Sequence, residues 1–210
     1  MAVLQGAVSG NSAEVTAEGA LQVTQVATGN QYAISATTGI IAAALGANST
    51  VFLARMDPAG TKKALISRIR LRWVCLVAFT PPLTAGRRLS VFVGSGAAGT
   101  GGTDITAAGK KSTTNPDSEM VSPMGGSLRV ATTGALTVTG ITYLAPEFDT
   151  MALVAYGNAG NFAECVFDYD AAGGLELLPG ELLAIRNPQA MDAAGTWQLT
   201  VDMDWTEVDA

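Results

Sequence analysis

Trp197, Leu199, Val201, Met203 and Trp205 fall on every second position of one run, with Gln198, Thr200, Asp202, Asp204 and Thr206 next to them. Successive side chains of an extended chain point to opposite faces, so this spacing makes one apolar and one polar face. A helix would scatter the same residues around its circumference. The run therefore predicts a strand with one buried face. A second long run repeats the pattern, with Leu65, Ser67, Ile69, Leu71, Trp73 and Cys75 on one side and Arg68, Arg70 and Arg72 on the other.

Shorter runs predict further strands at 32–36, 51–56, 88–93, 127–131, 135–143, 150–156, 162–169, 174–178 and 181–186. Asp57-Pro58-Ala59-Gly60 separates two of them, and Leu178-Pro179-Gly180-Glu181 places Pro and Gly where a type II turn needs them. The run at 135–143 changes phase at Gly140, which predicts a β-bulge. Only the short Ala-rich piece at 39–46 has any helical character. About ten short strands with Gly- and Pro-rich turns define an all-β chain, a sandwich or barrel, with a jelly roll the expected form at this size.

Two regions fall outside the strand pattern. Residues 1–30 are weakly apolar and broken by Gly and Asn, as expected of an N-terminal arm or lead-in strand. Residues 94–126 are poor in large apolar side chains and read as a long Gly-rich loop. Residues 31–210 then form a single β-sandwich domain carrying that loop. A domain of this size buries roughly 70% or more of its unfolded surface and needs no staples. Cys75 and Cys165 each alternate in phase with large apolar neighbours and read as two buried thiols; their spacing does not imply a disulfide, though it leaves one open.

Composition excludes several functions. Charged residues make up only 14% of the chain, against a usual share of about a quarter. The surface must therefore be largely Ser, Thr, Gly and Ala. The net charge of −6 leaves no polybasic footprint for nucleic acid or anionic lipid. The longest apolar runs, at 40–45 and 73–79, are far short of the ~20 residues a membrane helix needs. The first residues lack the pattern of a signal peptide, so no secretory or membrane address is expected.

The motifs that suggest chemistry are weak. Gly94-Ser95-Gly96-Ala97-Ala98-Gly99 matches G-x-G-x-x-G, and Ala107 to Thr113 echoes the end of a P-loop. A dinucleotide fingerprint needs a helix directly after its glycines, and the residues after Gly99 have no helical periodicity. In the echo, Lys111 stands where Ser or Thr should follow the lysine, and Asp104 where the first glycine should be. Both stretches read as loop. The absence of histidine removes Ser-His-Asp and Cys-His systems and the commonest proton carrier.

Asp202 with Asp204, and Asp168 with Asp170, share one strand face with Cα atoms about 6.5–7 Å apart. That is near the separation of glycosidase acid pairs, and clustered carboxylates also suit calcium. A solvated or arginine-paired face explains both pairs more simply. No catalytic, cofactor-binding or metal-binding residue is assigned, and no cofactor is expected. Trp73, Trp197 and Trp205 read as core. Asn48-Ser49-Thr50 fits the glycosylation pattern but reads as a turn.

Several phrases together carry a resemblance: "GANSTVFLARMDP" leading to "ISRIRLRW", then "VAFTPPLTAGRRLSVF", "GGTDIT", "RVATTGALTVTG" and "PGELLAIRNPQAMDAAGTWQLTVDMDWTE". From about residue 30 onward the chain resembles uncharacterised structural (virion) proteins of tailed bacteriophages. The likeness is one of strand-and-turn phrases and brings no catalytic signature or site residues. It implies a virion component. A protein lining the packaged genome would be basic, so a net charge of −6 points to the outer capsid surface or to the collar and tail.

The leading expectation is a capsid decoration (cement) protein, a jelly-roll homo-oligomer (dimer or trimer) that binds and stabilises the major capsid protein shell, without enzyme activity and without nucleic-acid or membrane partners. A collar, tail or fibre-base component is the alternative, and a phage glycan-binding or depolymerising protein the second alternative. In the leading reading residues 1–30 reach out to a neighbour.

Overall fold

The computed structural model describes residues 29–42, 45–80, 87–153, 158–170, 173–191 and 194–210, and three short strands nearer the N-terminus. In chain order the strands are β1 (Val3–Gln5), β2 (Ser12–Val15), β3 (Leu21–Val23), β4 (Asn30–Thr37), β5 (Ile41–Ala42), β6 (Ser49–Arg55), β7 (Lys62–Val77), β8 (Arg88–Gly96), β9 (Thr103–Asp104), β10 (Gly109–Lys110), β11 (Ser127–Val130), β12 (Ile141–Tyr143), β13 (Asp149–Ala152), β14 (Phe162–Asp168), β15 (Leu175–Leu177), β16 (Glu181–Asn187) and β17 (Thr196–Asp209). The chain is all-β, as its alternation predicts.

Two antiparallel sheets face one another. The first has the order β10-β4-β17-β7-β14, and the second β12-β8-β16-β6-β11-β9, with β13 continuing alongside β8. The pairing has a simple logic. β4 pairs with β17, β6 with β16, β7 with β14, and β8 with β12 and β13. The first main strand meets the last, the second the second last, and so inward, like a long hairpin rolled over on itself. That is the jelly roll.

The core between the sheets contains Tyr32, Phe52, Ile69, Leu71, Trp73, Leu89, Trp197, Leu199, Val201 and Trp205, all essentially fully buried. The tryptophans are core, as read from their phase. Trp73 lies 6.4 Å from Trp197 and 6.3 Å from Phe79 between ring centroids, and Tyr32 stacks on Trp205 at 5.6 Å.

The pattern of β7 needs one correction. Ile69, Leu71, Trp73 and Cys75 face the core, but below them the core positions are Ile66 and Ala64, not Ser67 and Leu65. The register explains this. Arg68 lies opposite Asp204 and Ile66 opposite Trp205, so Ser67 is an extra residue in β7. A bulge of this kind moves every side chain beyond it to the other face. The Ser67 hydroxyl donates to the Asp204 carbonyl at 3.3 Å.

Two other expectations change. The piece at 39–46 is not helical where described: Ile41–Ala42 is β5, paired with β17. The run at 135–143 is not one bulged strand. Leu136 and Thr137 make isolated bridges to Thr50 and Thr100, the chain turns at Gly140 with φ 68°, and β12 begins at Ile141. The phase change at Gly140 marks a turn between two pairings. The end of the run expected at 150–156 lies outside the described residues.

The region read as a loop at 94–126 is also more ordered than its composition suggests. It opens inside β8, carries β9 and β10, and ends in a 3₁₀ turn at Ser122–Met124. The excursion from 97 to 140 closes the same side of both sheets. β10 covers part of β4, while β11 and then β9 extend the second sheet past β6. Covering an edge in this way hides backbone groups that would otherwise pair with another chain.

The excursion also covers the outer face of the second sheet, where Gly99 lies against Leu53 and Val138. Hence Val51 to Ala54 and Leu182 to Ile185 are buried without alternation. Strands covered on both faces read as continuous apolar runs.

Residues 1–30 contain β1 to β3, which form a separate antiparallel sheet by pairing with one another, and end where Asn30 opens β4. The turns fall where predicted. Gly60 N–H donates to the Asp57 carbonyl at 3.1 Å, and Glu181 N–H to the Leu178 carbonyl at 2.9 Å with Gly180 at φ 80°. Asn48 sits in a turn at φ 63°.

Candidate functional site

The glycine fingerprint has a structural use. Gly94 and Gly96 lie in β8 opposite Tyr143 and Ile141 of β12. A Cβ at Gly94 would sit 2.5 Å from the Thr142 carbonyl oxygen, and one at Gly96 2.2 Å from that of Gly140. The glycines let two backbones approach, with no helix N-terminus behind them. Arg55, nearly buried, donates through Nε to the Gly96 carbonyl at 2.7 Å. In the P-loop echo, Lys110 pairs with Asp117 at 2.8 Å and Lys111 with Asp204 at 2.9 Å.

Asp202 and Asp204 belong to a charge ladder on the outer face of the first sheet. Arg68 donates to Asp204 at 2.6 Å, Arg72 to Asp202 at 2.9 Å, and Arg70 approaches Glu164 at 3.9 Å. The strands of the arginine and aspartate faces are thus neighbours, as the arginine-paired reading of the Asp202–Asp204 face requires. Asp202 lies directly opposite Arg70 but bonds the diagonal Arg72. Burial disfavours ionisation of Asp204, yet the hydrogen bonds from Lys111 and Arg68 outweigh it and hold the carboxyl below its ordinary range. Stability from this cluster is in force above the usual carboxylate pKa and is lost as pH falls through the lowered one.

A double-mutant cycle on Arg72 and Asp202 is expected to return a coupling of about 0.2–1 kcal/mol. The same cycle on Arg70 and Asp202 should return close to zero, because Arg70 leans toward Glu164. Guanidinium unfolding of the four chains in each cycle measures both.

Asp168 and Asp170 serve a turn, with Asp168 Oδ1 accepting the Asp170 N–H at 3.1 Å. No group of three or more metal-ligating side chains occurs among the described residues. Cys75 is buried and Cys165 half-buried, and neither is in a disulfide.

Sequence reasoning missed Glu207. It is 2% exposed, and its carboxylate accepts from the Ser118 hydroxyl, from Trp205 Nε1 at 3.1 Å and from the Glu119 N–H at 3.2 Å. Its parity was the available signal, since position 207 continues the buried series 197 to 205. Sequence reasoning also missed Arg186, whose guanidinium lies 3.9 Å from the Tyr143 ring centroid and 5.0 Å from that of Phe92. Burial lowers its pKa. Both are structural fasteners.

Several large apolar side chains are exposed. On the side left open by the excursion, Leu144 and Phe148 expose 63% and 52% of their area, and Phe162 and Val166 of β14 expose 54% and 44%. Leu144, Pro146 and Phe148, with Val93 and Leu175, line a hollow of about 260 Å³ rimmed by Glu176 and Glu181. Phe148 packs edge-on against Tyr169 at 5.6 Å, and the Tyr169 hydroxyl donates to Asp149 at 2.9 Å. These contacts tie the open sides of the two sheets together. Burial first, and the bond to Asp149 second, push the Tyr169 phenol far up. On the covered side a groove of about 420 Å³ lies between Ile34 to Thr37 of β4 and Thr103, Ile105 and Val130.

The fold is a jelly-roll sandwich. No protein-family model matches the chain, and no curated protein sequence matches it.

Proposed function

We propose that the protein is a structural component of a tailed-phage virion, a capsid decoration protein that binds neighbouring major capsid subunits from outside and has no enzyme activity. The observation that supports this best is the fate of the chemistry-bearing residues. The glycine fingerprint, both lysines of the P-loop echo and the Asp202–Asp204 pair are taken up by strand pairing and ion pairs. The surface offers apolar side chains on one side of a jelly roll, an architecture that recurs in capsid and lectin domains. The phage assignment itself rests on the resemblance of strand-and-turn phrases.

Residues 1–30 are the reaching element in this reading, adding strands to a neighbour's sheet. Mass spectrometry of purified particles tests the proposal. Hundreds of copies per particle are expected of a shell protein; a few to dozens would place it in the collar or tail, and none would end the virion reading. Deleting residues 1–28 is expected to leave the melting of the body nearly unchanged while binding to shells lacking the protein drops. Turnover of surface polysaccharide by the pure protein would overturn the non-enzymatic reading.

A further inference from the structure

β14 is the edge of the first sheet, and among the described residues its ladder bonds run to β7 alone. At its two ends the Tyr169 N–H donates to Ser67 and the Asn161 carbonyl accepts from Cys75, at 2.8 and 2.9 Å. Antiparallel ladder bonds alternate with period two. The N–H and C=O groups of Ala163, Cys165 and Phe167 therefore face β7, and those of Phe162, Glu164, Val166 and Asp168 face outward. The strand holds seven residues with no proline, no lysine and no bulge, and the charges of Glu164 and Asp168 are the one edge-blunting device it carries. The opposite side of the sandwich is covered by the excursion from 97 to 140, so the contrast lies within one molecule.

We infer that β14 pairs antiparallel with β14 of a second copy about a two-fold axis through Cys165, joining two first sheets into one. The charge pattern selects the occupant and the register. Keeping both core faces on the same side of the joined sheet allows only registers centred on a residue. Three of these pair five or more of the seven residues. Centring on Glu164 opposes Glu164 to its own copy, and centring on Val166 opposes Glu164 to Asp168.

Centring on Cys165 opposes Glu164 to Val166 and Phe162 to Asp168, with no two carboxylates facing. It also pairs all seven residues. This strand is complementary to itself, as a two-fold interface requires. In that register Cys165 meets Cys165 of the second copy in a non-hydrogen-bonded pair. The Cα separation there is about 4.5 Å, within disulfide reach. The inference stands on the strand edge and does not need the virion reading.

Sedimentation equilibrium of the full chain over a concentration series is expected to show a monomer–dimer equilibrium. Copper-phenanthroline oxidation, which removes two electrons and two protons from the thiol pair, should trap a covalent dimer. Cys165→Ser should abolish the covalent product and keep the reversible dimer. Val166→Glu places one carboxylate against Glu164 twice per dimer and should weaken association roughly two- to thirty-fold. Val166→Lys places ammonium groups there and should tighten it by a similar factor.

Val166 is exposed, and circular dichroism melts check that both variants stay folded. A chain that stays monomeric at millimolar concentration, a dimer that does not cross-link through Cys165, or weakening by both substitutions would overturn the inference. The last outcome would mean a merely hydrophobic contact or a different partner for this edge.

Discussion

Trp197→Ala is expected to lower the stability of the sandwich by about 3–5 kcal/mol, the usual cost of removing a large aromatic from a core. The indole is fully buried and packs against Trp73, which packs in turn against Phe79. Gly195, at φ 110°, brings the chain so close to Phe79 that a Cβ there would lie 2.8 Å from the ring. With its neighbours held this tightly, the site cannot collapse to fill the void. For a domain of this size the loss corresponds to a fall in melting temperature of roughly 6–20 °C.

Phenylalanine gives a sharper test. The indole N–H groups of Trp73 and Trp197 have no acceptor among the described residues, whereas that of Trp205 donates to Glu207. Trp197→Phe loses volume but also removes a buried, unpartnered donor, whose cost is about 1–3 kcal/mol. The two effects oppose, and the net change should stay within about 1 kcal/mol. Trp205→Phe loses the same volume and strips a buried carboxylate of a donor, so about 2–4 kcal/mol is expected. Urea unfolding of the two variants should separate them clearly. Equal losses would mean that volume alone governs this core.

The tryptophans were legible in the sequence because a strand with one wet face must alternate, and β17 alternates without interruption from Trp197 to Trp205. The neighbouring strand β7 was legible only down to Ile69. Its bulge at Ser67 depends on how it pairs with β17, and pairing partners leave little trace in one strand's own letters. The same limit hid the closed edge. Residues 97 to 126 have few large side chains, so they read as loop, yet their role is to lend short strands to β4 and β11. Composition reports what a segment can bury, not which edge it covers. At β14 the edge was unreadable for the opposite reason, since Phe162 to Asp168 alternates like any interior strand. What marks it as an edge is that the chain supplies no described neighbour beyond it.

Glu207→Ala is expected to cost about 3 kcal/mol or more, an unusually large effect for an acidic residue so near the end of the chain. Position 207 points into the protein on the same phase as Trp205, and its carboxylate gathers donors from two directions. Trp205 belongs to the same strand. Ser118 and Glu119 belong to the excursion, where Ser118 Oγ also accepts the Met120 N–H at 3.1 Å and Met120 and Val121 are buried. Alanine would leave the indole N–H, the hydroxyl and the Glu119 N–H without their acceptor in a site with almost no water access. Each such group costs about 1–3 kcal/mol, although the three share one site and will not simply add.

Glutamine restores one acceptor oxygen but turns an amide donor toward other donors, so Glu207→Gln should fall between, at about 1–2 kcal/mol. Glu176→Ala removes only an exposed pair with Lys63 and should change stability by less than about 1 kcal/mol. Amide exchange supplies the local readout. In Glu207→Ala the Glu119, Met120 and Val121 amides should lose protection before the rest of the sandwich, because the carboxylate fastens the excursion to β17. If Glu207→Ala costs no more than Glu176→Ala, or those amides keep their protection, the carboxylate is not the fastener and the excursion is held by its apolar contacts alone.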